Sequence, residues 1–281
     1  MPIDLHAHST ASDGSDSPSR LVELATSQGL RALALTDHDT QAGWAEAQLA
    51  ATGTGLELIP GTELSLEYDR GGMHLVVLWL EPGRGPLQDR LDSLREGRQG
   101  RNTAILRTLE AHGMAVLEEE LAEEAGDATV GRPHIAAIMV RKGYVESIQE
   151  AFEVWLAAGR PAYAGRPRLE PAEAISLARQ SGAVPVLAHP HTLGIDRAAE
   201  MADLLSRLRA AGLVGLESIY SSYRPHERQG YADLARRFDL IPTGGSDYHG
   251  SYKPGLELGS GYGDLHVSEE ILDRLRPFAG V

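Results

Sequence analysis

The chain has 281 residues, 42% of them hydrophobic, enough to bury the core of one large α/β domain or of a barrel with an insertion. It carries 40 acidic residues against 26 basic ones, a formal charge of −14, and its basic residues are scattered, which argues against capture of duplex DNA. No cysteine occurs, so disulfides and thiolate ligands are excluded and any metal must be held by imidazole and carboxylate.

The start, MPIDLHAHST, has no basic region followed by an apolar run, and no stretch of about 18 apolar residues occurs anywhere. The expectation is a soluble cytoplasmic protein, with no membrane and no obligate protein partner. Only Lys142 and Lys253 are lysines; the other basic residues are arginines, whose planar fork suits bidentate phosphate contact. A GC-rich genome would give the same bias.

Along the chain, short Val/Ile/Leu-rich runs predict strands at Ile3–His6, Ala32–Thr36, Glu57–Thr62, His74–Trp79, Val184–His189, Leu213–Ser218 and Ile241–Thr243. Helical patterns at Ser19–Gln28, Ala42–Ala51, Pro171–Ser181, Ala198–Ala211 and Arg224–Phe238 lie between several of them. This alternation predicts parallel strands with helices outside, and seven strands suit a closed or nearly closed β/α barrel. From Gly83 to Pro167 the pattern becomes helical and charged, which reads as a cap inserted over the barrel mouth. The barrel then comprises residues 1–82 and 168–281, and the cap 83–167. The acidic run EEELAEEAG reads as a solvated helix face, and Gly126–Gly131 and Gly159–Arg166 as turns.

The histidines gather at the predicted strand ends, where loops converge in parallel α/β folds. In DLHAHSTASDG, His6 and His8 are two apart and face the same side of an extended strand, with Asp13 in the following turn. ALALTDHDT ends a buried strand in His38 flanked by Asp37 and Asp39, which are candidate ligands or partners that orient the imidazole. Glu63 ends the next strand and His74 begins another. VPVLAHPHT supplies His189 and His191, and LIPTGGSDYHG supplies Asp247 and His249. Such N and O donors suit Mn2+ foremost, with Zn2+ or Fe2+ also compatible.

The order HxH with Asp, DHD, Glu, His, AHPH and SDYH resembles the polymerase and histidinol phosphatase (PHP) family over almost the whole chain. It is most similar to the stand-alone phosphoesterases with a helical insertion, which act on nucleoside 3′,5′-bisphosphates and on 5′ ends of short RNAs. The resemblance implies an α/β fold, a distorted (β/α)7 barrel, with two or three divalent ions. By it, one ion takes His6, His8, Glu63 and Asp247; a second shares Glu63 and adds His74 and His189; a third takes Asp13, His38 and His249. Three ions at roughly +6 against three carboxylates at roughly −3 leave a cationic pocket in an acidic protein. A bridging hydroxide is expected to attack the phosphorus, with Glu63 and Asp247 in the catalytic cluster and His191 as the acid for the leaving oxygen or as a phosphate donor.

Arg132 and His134 in GRPHIA and Arg160 in GRPAYAG resemble cap positions that contact phosphate, although the family often carries Lys where Arg160 stands. Tyr163, Tyr220, Tyr223 and Tyr248 are candidates for stacking on a base. The competing readings are a histidinol-phosphate phosphatase, an amidohydrolase and a non-catalytic metal-binding module. The amidohydrolase type commonly needs a carboxylated lysine at a strand end, and neither Lys142 nor Lys253 is expected at a strand end or at the barrel mouth.

Overall fold

A computed structural model describes residues 1–125, 130–165 and 168–280, apart from the side chains of 95–99. Parts of both expected turns, residues 126–129 and 166, lie outside the described residues. Seven strands form one sheet in sequential order: β1 (Ile3–Asp4), β2 (Ala32–Leu35), β3 (Glu57–Leu66), β4 (Met73–Leu78), β5 (Val184–Leu187), β6 (Gly215–Tyr220) and β7 (Ile241–Gly245). The sheet curls until β7 meets β1: the Asp247 N–H donates to the His6 carbonyl at 2.8 Å and the His8 N–H to that of Tyr248 at 2.9 Å. The result is a nearly closed, distorted β/α barrel.

One expectation is corrected. β4 runs antiparallel to both β3 and β5, so the strands are not all parallel. The reason is local: β3 continues to Leu66, and only residues 67–72 separate it from β4. A link this short closes a hairpin, whereas a parallel return needs a crossover of a dozen residues or more. The reversal puts the start of β4, and with it His74, beside the C-terminal ends of the parallel strands.

Helices α1 (Pro18–Ser27), α2 (Trp44–Ala51), α7 (Pro171–Gln180), α8 (Ala198–Ala210), α9 (Pro225–Arg237) and α10 (Glu270–Leu275) accompany the barrel strands. Their starts follow capping rules: the Ser17 hydroxyl accepts from the Arg20 N–H and the Glu170 carboxylate from the Ala172 N–H, each followed by proline in the first turn. Alternate strand residues separate two cores. Ile3, Ala34, Ile59, Val76 and Val186 pack together with Leu272 and Leu275 of α10, while Leu33 and Leu35 pack against Leu21 and Val22 of α1.

Between β4 and α7 lie α3 (Pro86–Ala111), α4 (Glu118–Ala125), α5 (Arg132–Arg141) and α6 (Ile148–Ala151), the last continuing as a π-helical turn, Phe152–Leu156. These helices enclose their own core, with Ile105, Leu109, Ile135, Met139 and Leu156. α3 also anchors to the barrel, because Leu87, Leu91 and Leu94 belong to the barrel's apolar cluster. On α4 the acidic face is largely exposed; Glu120 pairs with Lys142 and Glu124 with Arg141.

Candidate metal centre and substrate cavity

At the mouth, the strand ends bring together the histidines and carboxylates singled out in the sequence. Glu63 is the hub. Its Oε1 lies 2.9 Å from both His74 Nδ1 and His189 Nε2, while its Oε2 lies 3.3 Å from His6 Nε2, 3.2 Å from His8 Nε2 and 3.2 Å from His38 Nδ1. A carboxylate offers about four lone-pair sites, so this many imidazole nitrogens cannot all be satisfied by hydrogen bonds to it. Asp247 Oδ1 faces His6, His8 and His249 at 3.5, 3.3 and 3.4 Å. Asp13 lies 3.7 Å from His8 and from His38 and 3.5 Å from His249.

Three groups have ligand atoms mutually within 4.8 Å: His6, His8, Glu63 and Asp247; His8, Asp13, His38 and His249; and His38, Glu63 and His74. Among the described residues the buried Nδ1 of His8 has no hydrogen-bond partner. That orphan, the crowding on Glu63 and the exclusively N and O donors fit divalent cations rather than a network of hydrogen bonds alone. His189 approaches Glu63 beside His74, as the resemblance implied, although the third tight group holds His38 there instead.

Charge tells the same story. Burial by itself raises the pKa of Glu63, Asp13 and Asp247, yet interactions with facing side chains hold all three well below the ordinary carboxylate range: His38 and His74 for Glu63, His38 and His249 for Asp13, Lys253 and His6 for Asp247. Burial lowers the pKa of His8, but contacts with Asp247 and Glu63 outweigh it and lift the value to about 9. His6 is raised as well, whereas burial lowers His74 and His249, so in the ion-free protein the protons gather on His6 and His8.

The local backbone is built for this convergence. His189 and Asp247 have positive φ values of 22° and 56°, sparsely populated for residues with a Cβ, as expected where a site over-determines the chain. Gly245 lets β7 approach β1, since a Cβ there would stand 2.5 Å from the His6 Cβ. Asp37 does not join the cluster: its oxygens accept from the Ser9 N–H, Ser9 Oγ and Ser12 Oγ at 2.7–2.8 Å, which fixes the loop between His8 and Asp13.

A cavity of about 340 Å3 opens from His38, His74, Asp13 and His249 toward the helices between β4 and α7, lined by Arg101, Arg132, Arg168 and Lys253 with Ile148, Phe152 and Tyr252. Arg132 donates to the Leu156 carbonyl at 3.1 Å and stacks over Phe152, so the π-helical turn helps aim both into the cavity. His134 is buried behind the wall, with Nδ1 accepting from the Gly131 N–H at 2.9 Å and its ring edge-on to Tyr252. Arg160 is exposed on a turn and is not among the side chains lining the cavity.

His191 is likewise outside that lining; its Nδ1 lies 2.9 Å from the Tyr223 hydroxyl, and burial and His189 lower its pKa. Tyr220 donates to Asp247 Oδ2 at 2.7 Å and Tyr248 to Asp16. The aromatic side chains in the cavity are instead Phe152 and Tyr252. Lys253 corrects a further expectation: it stands at the mouth, its Nζ 2.5 Å from Asp247 Oδ2, because the 3-10 turn Gly250–Tyr252 folds the chain back over the end of β7. Lys142 does stay in the cap, donating to the Ala115 carbonyl and to Glu120. Sequence reasoning also missed Glu217, buried below the cluster and 3.1 Å from His6 Nδ1. Its signal was an acid inside the apolar strand LVGLESIY.

Histidines and carboxylates gathered at the strand ends of a β/α barrel, under a cationic cavity, define a hydrolytic metal centre. The chain belongs to the PHP domain family, which matches residues 4–158, and it is a metal-dependent phosphoesterase. It is 31% identical to a 3′,5′-nucleoside bisphosphate phosphatase of Chromobacterium violaceum, over 92% of this chain and 90% of the relative. It is 35% identical to a 5′-3′ exoribonuclease of Haemophilus influenzae, over 88% of this chain and 89% of that one. A solved structure from Bifidobacterium adolescentis, provisionally assigned as a metal-dependent phosphoesterase, superposes with a TM-score of 0.87 at 30% identity, covering 100% of this chain and 99% of that one.

Proposed function

We propose that this protein hydrolyses a phosphate monoester of a small nucleotide bearing a second phosphate, converting a nucleoside 3′,5′-bisphosphate to the 5′-monophosphate and phosphate, and that it also acts on short 5′-phosphorylated RNA. The observation that carries this reading is the pairing, across one cavity, of the histidine–carboxylate cluster with a wall containing Arg101, Arg132, Arg168 and Lys253. One phosphoryl group lies toward the cluster and the remaining anionic group reaches the guanidinium wall, where planar forks suit phosphate oxygens. Ile148, Phe152 and Tyr252 add an apolar surface suited to a base. The names of the C. violaceum and H. influenzae relatives support a substrate of this class.

In this reading the ions are two or three, Mn2+ foremost, held by His6, His8, Glu63 and Asp247, by His74 and His189 with Glu63, and by Asp13, His38 and His249. When bound, such ions supply the Lewis acidity that ionises a water near neutral pH and offsets charge building on the phosphoryl oxygens. Glu63 and Asp247 keep the donors converged, and Tyr220 and Lys253 fix the outer oxygen of Asp247. His191, edge-on to His189 with its Nδ1 held by Tyr223, is the group assigned to protonate the leaving oxygen; it adjoins the cluster from outside the cavity lining.

The test is phosphate release by Mn2+-loaded protein on adenosine 3′,5′-bisphosphate, 5′-AMP, histidinol phosphate and a short 5′-phosphorylated RNA. Preference for the bisphosphate or RNA is the expected result. Preference for histidinol phosphate, or no release from any of them, overturns the proposed substrate.

A further inference from the structure

Glu217 takes part in none of the roles described so far. It sits in β6 between Leu216 and Ser218 and is 2% exposed, a placement that costs free energy unless its contacts repay it. It makes two. Oε1 lies 3.1 Å from His6 Nδ1, and Oε2 accepts the backbone N–H of His189 at 2.6 Å. The register of β6 against β7 shifts between Glu217 and Ile219, an irregularity of the kind that re-aims a side chain.

Both contacts constrain candidate ligands. With Nδ1–H given to Glu217, Nε2 is the nitrogen left to face Glu63 Oε2 and Asp247 Oδ1, and in the neutral ring it carries the lone pair. The His189 backbone is held at φ 22° and ψ 66°, a strained conformation that delivers its Nε2 to within 2.9 Å of Glu63 Oε1. A single carboxylate thus fixes one histidine for each oxygen of Glu63, across strands β1 and β5.

We infer that Glu217 is a positioning residue that locks His6 and His189 together, so that removing its charge weakens ion binding on both sides of Glu63 at once. The inference rests on the reading of the cluster as a metal centre. Its physical basis is that a carboxylate on the far nitrogen of a ligating imidazole fixes tautomer and ring orientation and raises basicity, an effect of about 10–100-fold in affinity.

The experiment is chelator competition for Mn2+ and Zn2+ on the full chain, with Co2+ absorption spectra and melting with and without ion, for wild type, Glu217→Gln and Glu217→Asp. The amide oxygen of Gln can serve one contact, but its NH2 cannot accept the other. Expected is a loss of about 10–100-fold in ion affinity for E217Q, an altered Co2+ spectrum, and a smaller ion-induced rise in Tm. E217D, which keeps the charge but shortens its reach, falls between E217Q and wild type. Wild-type affinity and spectrum in E217Q overturn the inference. Should E217Q fail to fold, wild-type affinity in E217D overturns it and reduced affinity supports it. A wild-type protein that binds no ion overturns the metal-centre reading, and this inference with it.

Discussion

Arg160 and Arg168 are chemically alike and close in sequence, yet of the two only Arg168 lines the cavity, with a buried Nε that has no hydrogen-bond partner among the described residues. Hydrogen bonds to charged groups contribute about 1.5–3 kcal/mol, and about 1.4 kcal/mol is tenfold in affinity. Arg168→Ala should therefore raise KM for the bisphosphate about tenfold or more, with kcat changed less, while Arg160→Ala leaves both near wild type. Steady-state kinetics on the two variants decide between them; a KM effect confined to Arg160 would remove the cavity wall from substrate binding. The sequence marked Arg132, which lines the cavity, and Arg160, which does not. Nothing in the local pattern around either arginine carries the distinction, because it depends on how each segment packs: Arg132 opens α5 beside Phe152, while Arg160 is exposed on a turn.

At the level of elements, the decisive features are the reversed β4 and the close approach of β7 to β1. The hairpin carries His74 to the mouth, and Gly245 permits the contact on which His6 and Asp247 converge. An added methyl at Gly245 would also stand 2.6 Å from the His6 backbone nitrogen, so neither strand has room to yield cheaply. Overpacking of this kind costs about 1–3 kcal/mol. Gly245→Ala should lower stability by about that amount in urea unfolding and reduce ion content at the same time. Gly100, exposed within α3 with nothing close to its would-be Cβ, is the contrast. Gly100→Ala should stabilise by about 0.5–1 kcal/mol, because glycine loses more backbone entropy in a helix. Helix positions were legible from their helical apolar pattern. The direction of β4 was not, since an apolar strand reads alike in either direction.

Across the whole molecule, a chain of net charge −14 concentrates protonated histidines among buried carboxylates at one end of its barrel. Ligating imidazoles must be neutral, so loading divalent ions displaces protons. His8 is raised to about 9 and His6 is raised as well; both bind protons at pH 7, and apparent ion affinity should rise with pH toward about 9 and fall below neutrality. Calorimetric titration in buffers of different ionisation heat measures the protons released, and a value of zero would contradict this electrostatic picture. Because the ions bind the folded cluster and not a dispersed one, Tm should also climb with ion concentration and drop on chelation.

The sequence by itself determined the donor set and its distribution over strand ends. HxH, DHD, AHPH and SDYH each follow or interrupt an apolar run, and short-range spacing is enough to show that such residues need partners. It also determined the alternation of strands and helices and the helical interruption between them. Only the tertiary structure decided that Lys253 and Tyr220 grip Asp247, that Glu217 lies beneath His6 and His189, and that Arg101 and Arg168 join Arg132 in the wall. These are contacts between residues far apart in the chain, brought together by barrel closure and by the docking of α3, and no local periodicity encodes them.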